Sequence, residues 1–240
     1  PVLIILFFSS IRTFAQATSN SFPHQEVRYF LNYTTHDYGA QPQNWAIAQD
    51  NHRIIYVANH GGVLQYDGIS WRIIKIPNWS ARSISYTEDG DGIIYLGGKN
   101  EFGFLAPDNK GELNYVSLVP HLQEHQKNFA DVWNTHVTIE GIYFETAQFL
   151  FYWNPQKQQM KVWEPGYQFN NTFTCNKEFF IHSRQVGLLQ IKNDSLQLVP
   201  GGEILTGKKV FFMAPLDAAA QKILIGTREN KPSGTGKIKQ

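Results

Sequence analysis

His121-Leu122-Gln123-Glu124-His125 is an H-x-x-E-H string. On a helix it would set two imidazoles on one face to hold zinc, with a Glu beside them to activate water. It follows Pro120 and no amphipathic helical pattern surrounds it, so these residues are read as a solvated loop. Gly202 to Lys208 satisfies G-x-x-x-x-G-K, the spacing of a phosphate-cradling loop. Lys209 stands where a Mg²⁺-binding hydroxyl is needed, and Val210-Phe211-Phe212-Met213 reads as a strand rather than a helix start. Asp89-Gly90-Asp91-Gly92 has the residues of a calcium loop, yet no Glu follows at the required distance. The same residues make a tight hairpin turn, as do those around Asp67, Asp108 and Asp217. The lone cysteine, Cys175, excludes an internal disulfide framework and a cysteine-based zinc cluster. No catalytic residue, metal or cofactor is expected.

The elements that would position any site are strands. Among 240 residues there are 34 aromatics, 19 Gly and 11 Pro, and only 17% are charged, against about 25% in ordinary soluble domains. Lys and Arg number 21 against 20 Asp and Glu, so there is no basic field to attract nucleic acid and no direct binding to it is expected. Five apolar triplets recur: Ile55-Tyr56-Val57, Ile94-Tyr95-Leu96, Ile142-Tyr143-Phe144, Phe179-Phe180-Ile181 and Ile223-Leu224-Ile225. Their centres are spaced 39, 48, 37 and 44 residues apart. A period of roughly 40–50 residues with period-2 alternation predicts an all-β propeller of four-stranded antiparallel blades. The blades are placed at about 45–77, 82–118, 131–164, 172–199 and 209–228, some four and a half in all, with an insertion at Val119–Ala130 between the second and third. An incomplete ring is read as part of a longer protein. Trp45, Trp71, Trp133 and Trp163 are expected to fill blade cores or the interfaces between blades, with carbohydrate stacking by one or two of them as the alternative.

Flanking segments complete the map. Val2 to Phe8 is apolar but far short of the ~20 residues of a spanning helix, and Ala15-Gln16-Ala17 has the small-residue pattern of a cleavage site. Residues 1–17 are read as the remainder of a secretory signal. Residues 18–44 form an N-terminal segment in which Val27 to Asn32 is expected to close the propeller ring. Residues 229–240 are read as a polar tail.

Gln43-Asn44-Trp45-Ala46-Ile47-Ala48-Gln49-Asp50, with Ile54 to Asn59, Gly62 to Gly68 and Ser70-Trp71-Arg72, resembles the opening of a two-component regulator propeller, the periplasmic sensor region found chiefly in Bacteroidetes signalling proteins. Ile94 to Gly98 with Glu101 to Asp108 is similar to that family's second blade, and Lys222 to Arg228 to its strand followed by Gly-Thr. The resemblance spans residues 27–228 and implies an exported, non-catalytic sensor of a membrane-bound regulator. It also implies a downstream three-Tyr domain, a membrane span and a cytoplasmic kinase or helix-turn-helix output, with a homodimer among the expectations for the full-length protein. A propeller polysaccharide lyase, a glycoside hydrolase and an adhesion module are the alternatives.

Positions four and five after each triplet centre should share one rim. Among them His60, Lys99, Asn100, Gln148, Arg184, Gln185 and Arg228 are cations or amides where bland turns would use Gly, Asn and Asp. Converging there, they would suit an anionic or hydroxyl-rich small molecule or oligosaccharide.

Overall fold

The computed structural model describes residues 31–86, 92–217 and 222–229. The chain divides into two compact units, Pro1–Asn32 and Tyr33–Gln240, and the architecture belongs to the second. Of the first, only Leu31 and Asn32 are described, and neither is in a strand. The signal remnant and Val27 to Phe30 therefore lie outside the described residues.

A four-residue helix, α1 (Thr35–Tyr38), precedes four meandering sheets. The first comprises β1 (Asn44–Gln49), β2 (Ile55–Asn59), β3 (Gly62–Tyr66) and β4 (Trp71–Ile74). The second has β5 (Ala81–Tyr86), β6 (Ile94–Gly98), β7 (Glu101–Pro107) and β8 (Leu113–Ser117). The third has β9 (Asn134–Val137), β10 (Ile142–Glu145), β11 (Leu150–Asn154) and β12 (Gln159–Trp163). The fourth has β13 (Asn171–Cys175), β14 (Glu178–Ser183), β15 (Gly187–Lys192) and β16 (Ser195–Leu198). A two-stranded sheet follows, β17 (Lys208–Asp217) with β18 (Lys222–Glu229). Neighbouring strands are antiparallel throughout, in chain order, and the whole is an incomplete β-propeller.

The turns follow from their residues. Asp67 Oδ1 accepts hydrogen bonds from the backbone N–H of Ile69 and Ser70, and Asp108 Oδ1 from those of Lys110 and Glu112. These exposed carboxylates are held below the usual range by the backbone donors they face.

The core lies between blades rather than inside one sheet. In the second blade, Tyr95 packs with Phe102, Phe144 and Phe151 toward the third blade, while Ile94 and Leu96 pack with Tyr56, Val63 and Ile74 toward the first. In the third, Ile142 and Phe144 face back and Tyr143 faces forward onto Phe169, Ile181 and Leu189. Phe180 reaches forward to Leu205 and Val210 while Ile181 faces back. In the second, third and fourth triplets the middle residue thus meets the following blade or sheet and its flankers the preceding one. A strand buried on both faces needs an unbroken apolar run, which is why the triplets stand out in the sequence.

The insertion after β8 contributes to this core. It forms two 3₁₀ turns, Val119–His121 and Glu124–Gln126, and buries Leu122 and Phe129 between the second and third blades. His121, Glu124 and His125 stay exposed, with His121 against the Trp153 ring, and no helix unites them. β18 continues through Glu229, the first residue of the expected polar tail, and residues 230–240 are outside the described residues.

Candidate functional site

Strands β1, β5, β9, β13 and β17 are the innermost of their blades and lie against one another in sequence order. Each begins on the face that also carries the turn between the second and third strands of its blade. Near the beginning of β1, β5 and β17 the pairing slips. In β1 the register passes from Asn44 to Ala46, skipping Trp45; in β5 it skips Arg82, and in β17 it skips Phe211. Trp133 N–H donates to Glu145 O and Asn170 N–H to His182 O, the carbonyls opposite the residues that follow them. Trp133 and Asn170 therefore occupy the same place in the third and fourth blades. A bulge leaves its extra residue out of the ladder and re-aims its side chain. Five blades thus present Trp45, Arg82, Trp133, Asn170 and Phe211 in equivalent positions around one mouth.

The first three interlock. The Arg82 guanidinium carbon sits 4.3 Å from the Trp45 ring centroid and 5.5 Å from that of Trp133, and the two indoles meet edge-on at 5.9 Å. Arg82 Nε is 3.2 Å from Asp131 Oδ1, with both side chains largely buried. The indoles themselves remain 43% and 47% exposed. Of the two places expected for Trp45 and Trp133, a blade core or an interface between blades, the structure excludes the core: they meet across blades, half-exposed at the mouth. Trp71 and Trp163 are half-buried, on the outer strand of the first blade and the outer strand of the third. Phe211, 49% exposed, carries Lys209 at 5.1 Å and Arg228 at 6.0 Å from its ring centroid. Among the described residues, neither cation has a carboxylate at ion-pair distance.

A polar layer supports the mouth from within. Ser83 Oγ donates to Val132 O and shares a 2.7 Å hydrogen bond with Thr135 Oγ1. Asn134 Nδ2 donates to Glu145 Oε2 at 2.6 Å and to Asn171 Oδ1 at 2.8 Å, and Thr172 Oγ1 donates to Glu145 Oε2. Burial pushes the Glu145 carboxyl up to about 7, against the pull of those donors. Burial pushes His136 down to about 4, its Nε2 meeting Thr172 O at 3.1 Å.

The residues singled out from the repeat spacing lie on this same face. His60, Lys99, Asn100, Gln148, Arg184 and Gln185 occupy the turns between second and third strands, whereas Arg228 lies in β18 itself. The residue heading three of those turns holds it rigid. Asn59 Oδ1 accepts from Gly61 N–H, Thr146 Oγ1 from Gln148 and Phe149 N–H, and Ser183 Oγ from Gln185 N–H. Asn100 adopts φ 50°, and its Oδ1 accepts from Phe129 N–H at 2.8 Å. Gln185 Oε1 accepts from Gln168 N–H, and His60 Nδ1 shares a hydrogen bond with Ser80 Oγ. Arg184 N–H donates to Asn170 Oδ1, and Lys99 bridges Asp131, so two of these turns touch residues of the mouth through their backbones. Arg228 alone of the seven stacks on a mouth side chain.

The bulge residues escape a count from the triplets. They precede the triplet centres by 11, 13, 10, 10 and 13 residues, because the turn between first and second strands varies in length. The usable signal was chemical: an aromatic or Arg at the very start of three alternating strands.

No family model and no curated protein matches the chain. Solved structures do. The extracellular domain of the hybrid two component system BT3049 from B. thetaiotaomicron aligns over 85% of this chain and 27% of its own, with TM-score 0.57 and 13% identity. What the two share is a fold. Virginiamycin B lyase from Staphylococcus aureus, solved with quinupristin, aligns over 79% of this chain and 71% of its own at TM-score 0.53 and 8% identity. The WD40 β-propeller domain of Doa1 aligns over 78% and 69% at TM-score 0.53 and 12% identity. The chain spans 21% and 20% of the length of two solved structures of the BT4673 extracellular domain from B. thetaiotaomicron and 27% of that of BT3049.

Proposed function

We propose that this chain is the ligand-sensing propeller of an extracytoplasmic receptor within a membrane-bound signalling or transcription regulator, and that it binds its ligand without transforming it. The observation that carries this reading is one position repeated near the start of all five inner strands, a bulge in β1, β5 and β17. It presents one side chain per blade on a single mouth, three of them locked together in the Arg82 stack, which is the design of a preformed binding surface. The regulator-propeller resemblance of the first two blades supports the signalling role, and the fold shared with a regulator's extracellular domain agrees with it by analogy. Among the described residues no helix is long and apolar enough to cross a membrane. The cations and amides on the turns, Lys99 and Arg184 among them, suit a carbohydrate.

The reading is tested by titrating the chain with neutral and acidic oligosaccharides in a calorimeter, then analysing the recovered sugar by mass spectrometry. A sensor returns the saccharide intact after saturable binding. Cleaved or unsaturated products would replace this reading with that of a propeller lyase or hydrolase.

A further inference from the structure

The geometry points to an acidic oligosaccharide as the occupant of the mouth, with one pyranose stacked on Trp45 and Trp133 and an anionic group of the same chain held by Lys209 and Arg228. This deepens the sensor reading and rests on it. Two large aromatic faces left in water cost free energy unless something covers them, and nothing in a bulge requires an aromatic. Here three of the five equivalent positions carry one: Trp45, Trp133 and Phe211. The indoles are also immobilised. Arg82 lies against both rings and is itself tied to Asp131, so little side-chain freedom remains to be lost on binding. A pyranose offers a flat C–H face that fits such a platform.

Charge decides the rest. Arg82 is balanced by Asp131, but Lys209 and Arg228 stack over Phe211 with no described carboxylate at ion-pair distance. Both project from paired positions in β17 and β18, so they form one fixed cationic pair at the rim. A cationic ligand would be repelled there. Single-stranded nucleic acid also stacks on aromatics and pairs with cations. The chain's net charge of +1 supplies none of the long-range field such binding uses. Acidic sugars combine a stacking face with carboxylates or sulfates and need only the local pair.

The full chain is titrated, following tryptophan fluorescence and heat, with tetragalacturonate, a sulfated chondroitin tetrasaccharide, neutral cellotetraose and an eight-residue oligothymidylate. At least one acidic saccharide should bind more tightly than cellotetraose, with affinity falling as salt rises. Trp45→Ala and Trp133→Ala should each weaken it about tenfold, the scale of a lost aromatic contact. Trp45→Phe should keep affinity within a few-fold, which separates the platform from a folding defect. Lys209→Gln with Arg228→Gln should weaken the acidic saccharide and flatten its salt dependence. Ile139→Ala, on the opposite face, should change nothing. Unaltered affinity in both tryptophan variants overturns the site while leaving the sensor reading intact. Binding of cellotetraose alone overturns the acidic class, tighter binding of the oligothymidylate overturns saccharide recognition, and no binding of any probe overturns both.

Discussion

Glu145 ends β10 with its carboxyl 2% exposed, and burial raises it from the ordinary 4.5 to about 7. The folded state therefore holds a proton that the unfolded chain has released between those values. This stabilisation is complete below 4.5 and is lost as pH rises through about 7. Glu145→Gln should raise stability at pH 8 by up to about 3 kcal/mol relative to the parent, and by almost nothing at pH 4. Urea titrations at the two values measure this; equal effects at both would show a carboxylate ionised in the fold. His136 works in the opposite direction. Burial lowers it from 6.5 to about 4, so its contribution is full above 6.5 and lost as pH falls through about 4. His136→Gln should flatten the acid limb of the stability profile.

Asn100 shows how a residue type can serve the strand connection it sits in. Its φ of 50° is a left-handed conformation that Asn tolerates, and its side chain anchors Phe129 N–H. Asn100→Gly keeps the conformation and loses only the hydrogen bond, at about 1 kcal/mol; Asn100→Ala adds the conformational penalty, for about 2 kcal/mol in total. A reversed order in thermal melts would remove the backbone argument. At β6 the constraint is close approach. A Cβ on Gly97 would collide with the Val132 side chain and Ser83 Oγ, where the inner strands of the second and third blades meet. Gly97→Ala should cost about 1–3 kcal/mol, as overpacking does, and a neutral result would mean these strands can separate freely.

At the scale of the molecule, part of the exposed apolar surface lies on the outward faces of the first and last described sheets. Ala46 and Ala48 pack inward from β1 while Ile47 is 68% exposed, and on β18 Ile223 and Ile225 pack inward while Leu224 is 48% exposed. Alternation thus leaves Ile47 and Leu224 toward water, although Tyr38 of α1 covers Val57 and Leu64 on the face of the first sheet that carries Ile47. The isolated chain should self-associate as concentration rises, and Ile47→Lys with Leu224→Lys should suppress this in sedimentation velocity. A monomer at every concentration would count against it. Changing Lys99, Arg184 and Arg228 together to Ala should weaken acidic saccharide binding without altering the melting transition; unchanged affinity would remove these three side chains from the ligand face.

Sequence alone determined the blades. Strands buried on both faces demand apolar triplets, and hairpins demand Asp and Gly at fixed places, so both signals are local and recur with the repeat. It also placed His60, Lys99, Asn100, Gln148, Arg184 and Gln185 on one face, because a fixed offset from a strand centre survives folding. It left Trp45 and Trp133 open between a blade core and an interface between blades, since an indole's place is undecided until the register of its strand is known. Only the tertiary structure decided that register. A bulge arises from pairing between two strands whose connecting turn varies in length, and it has no composition of its own. The packing of successive inner strands then brings residues 37 and 51 positions apart, Trp45 to Arg82 and Arg82 to Trp133, into one stack. Burial by other blades, which no local pattern encodes, sets the protonation of Glu145 and His136.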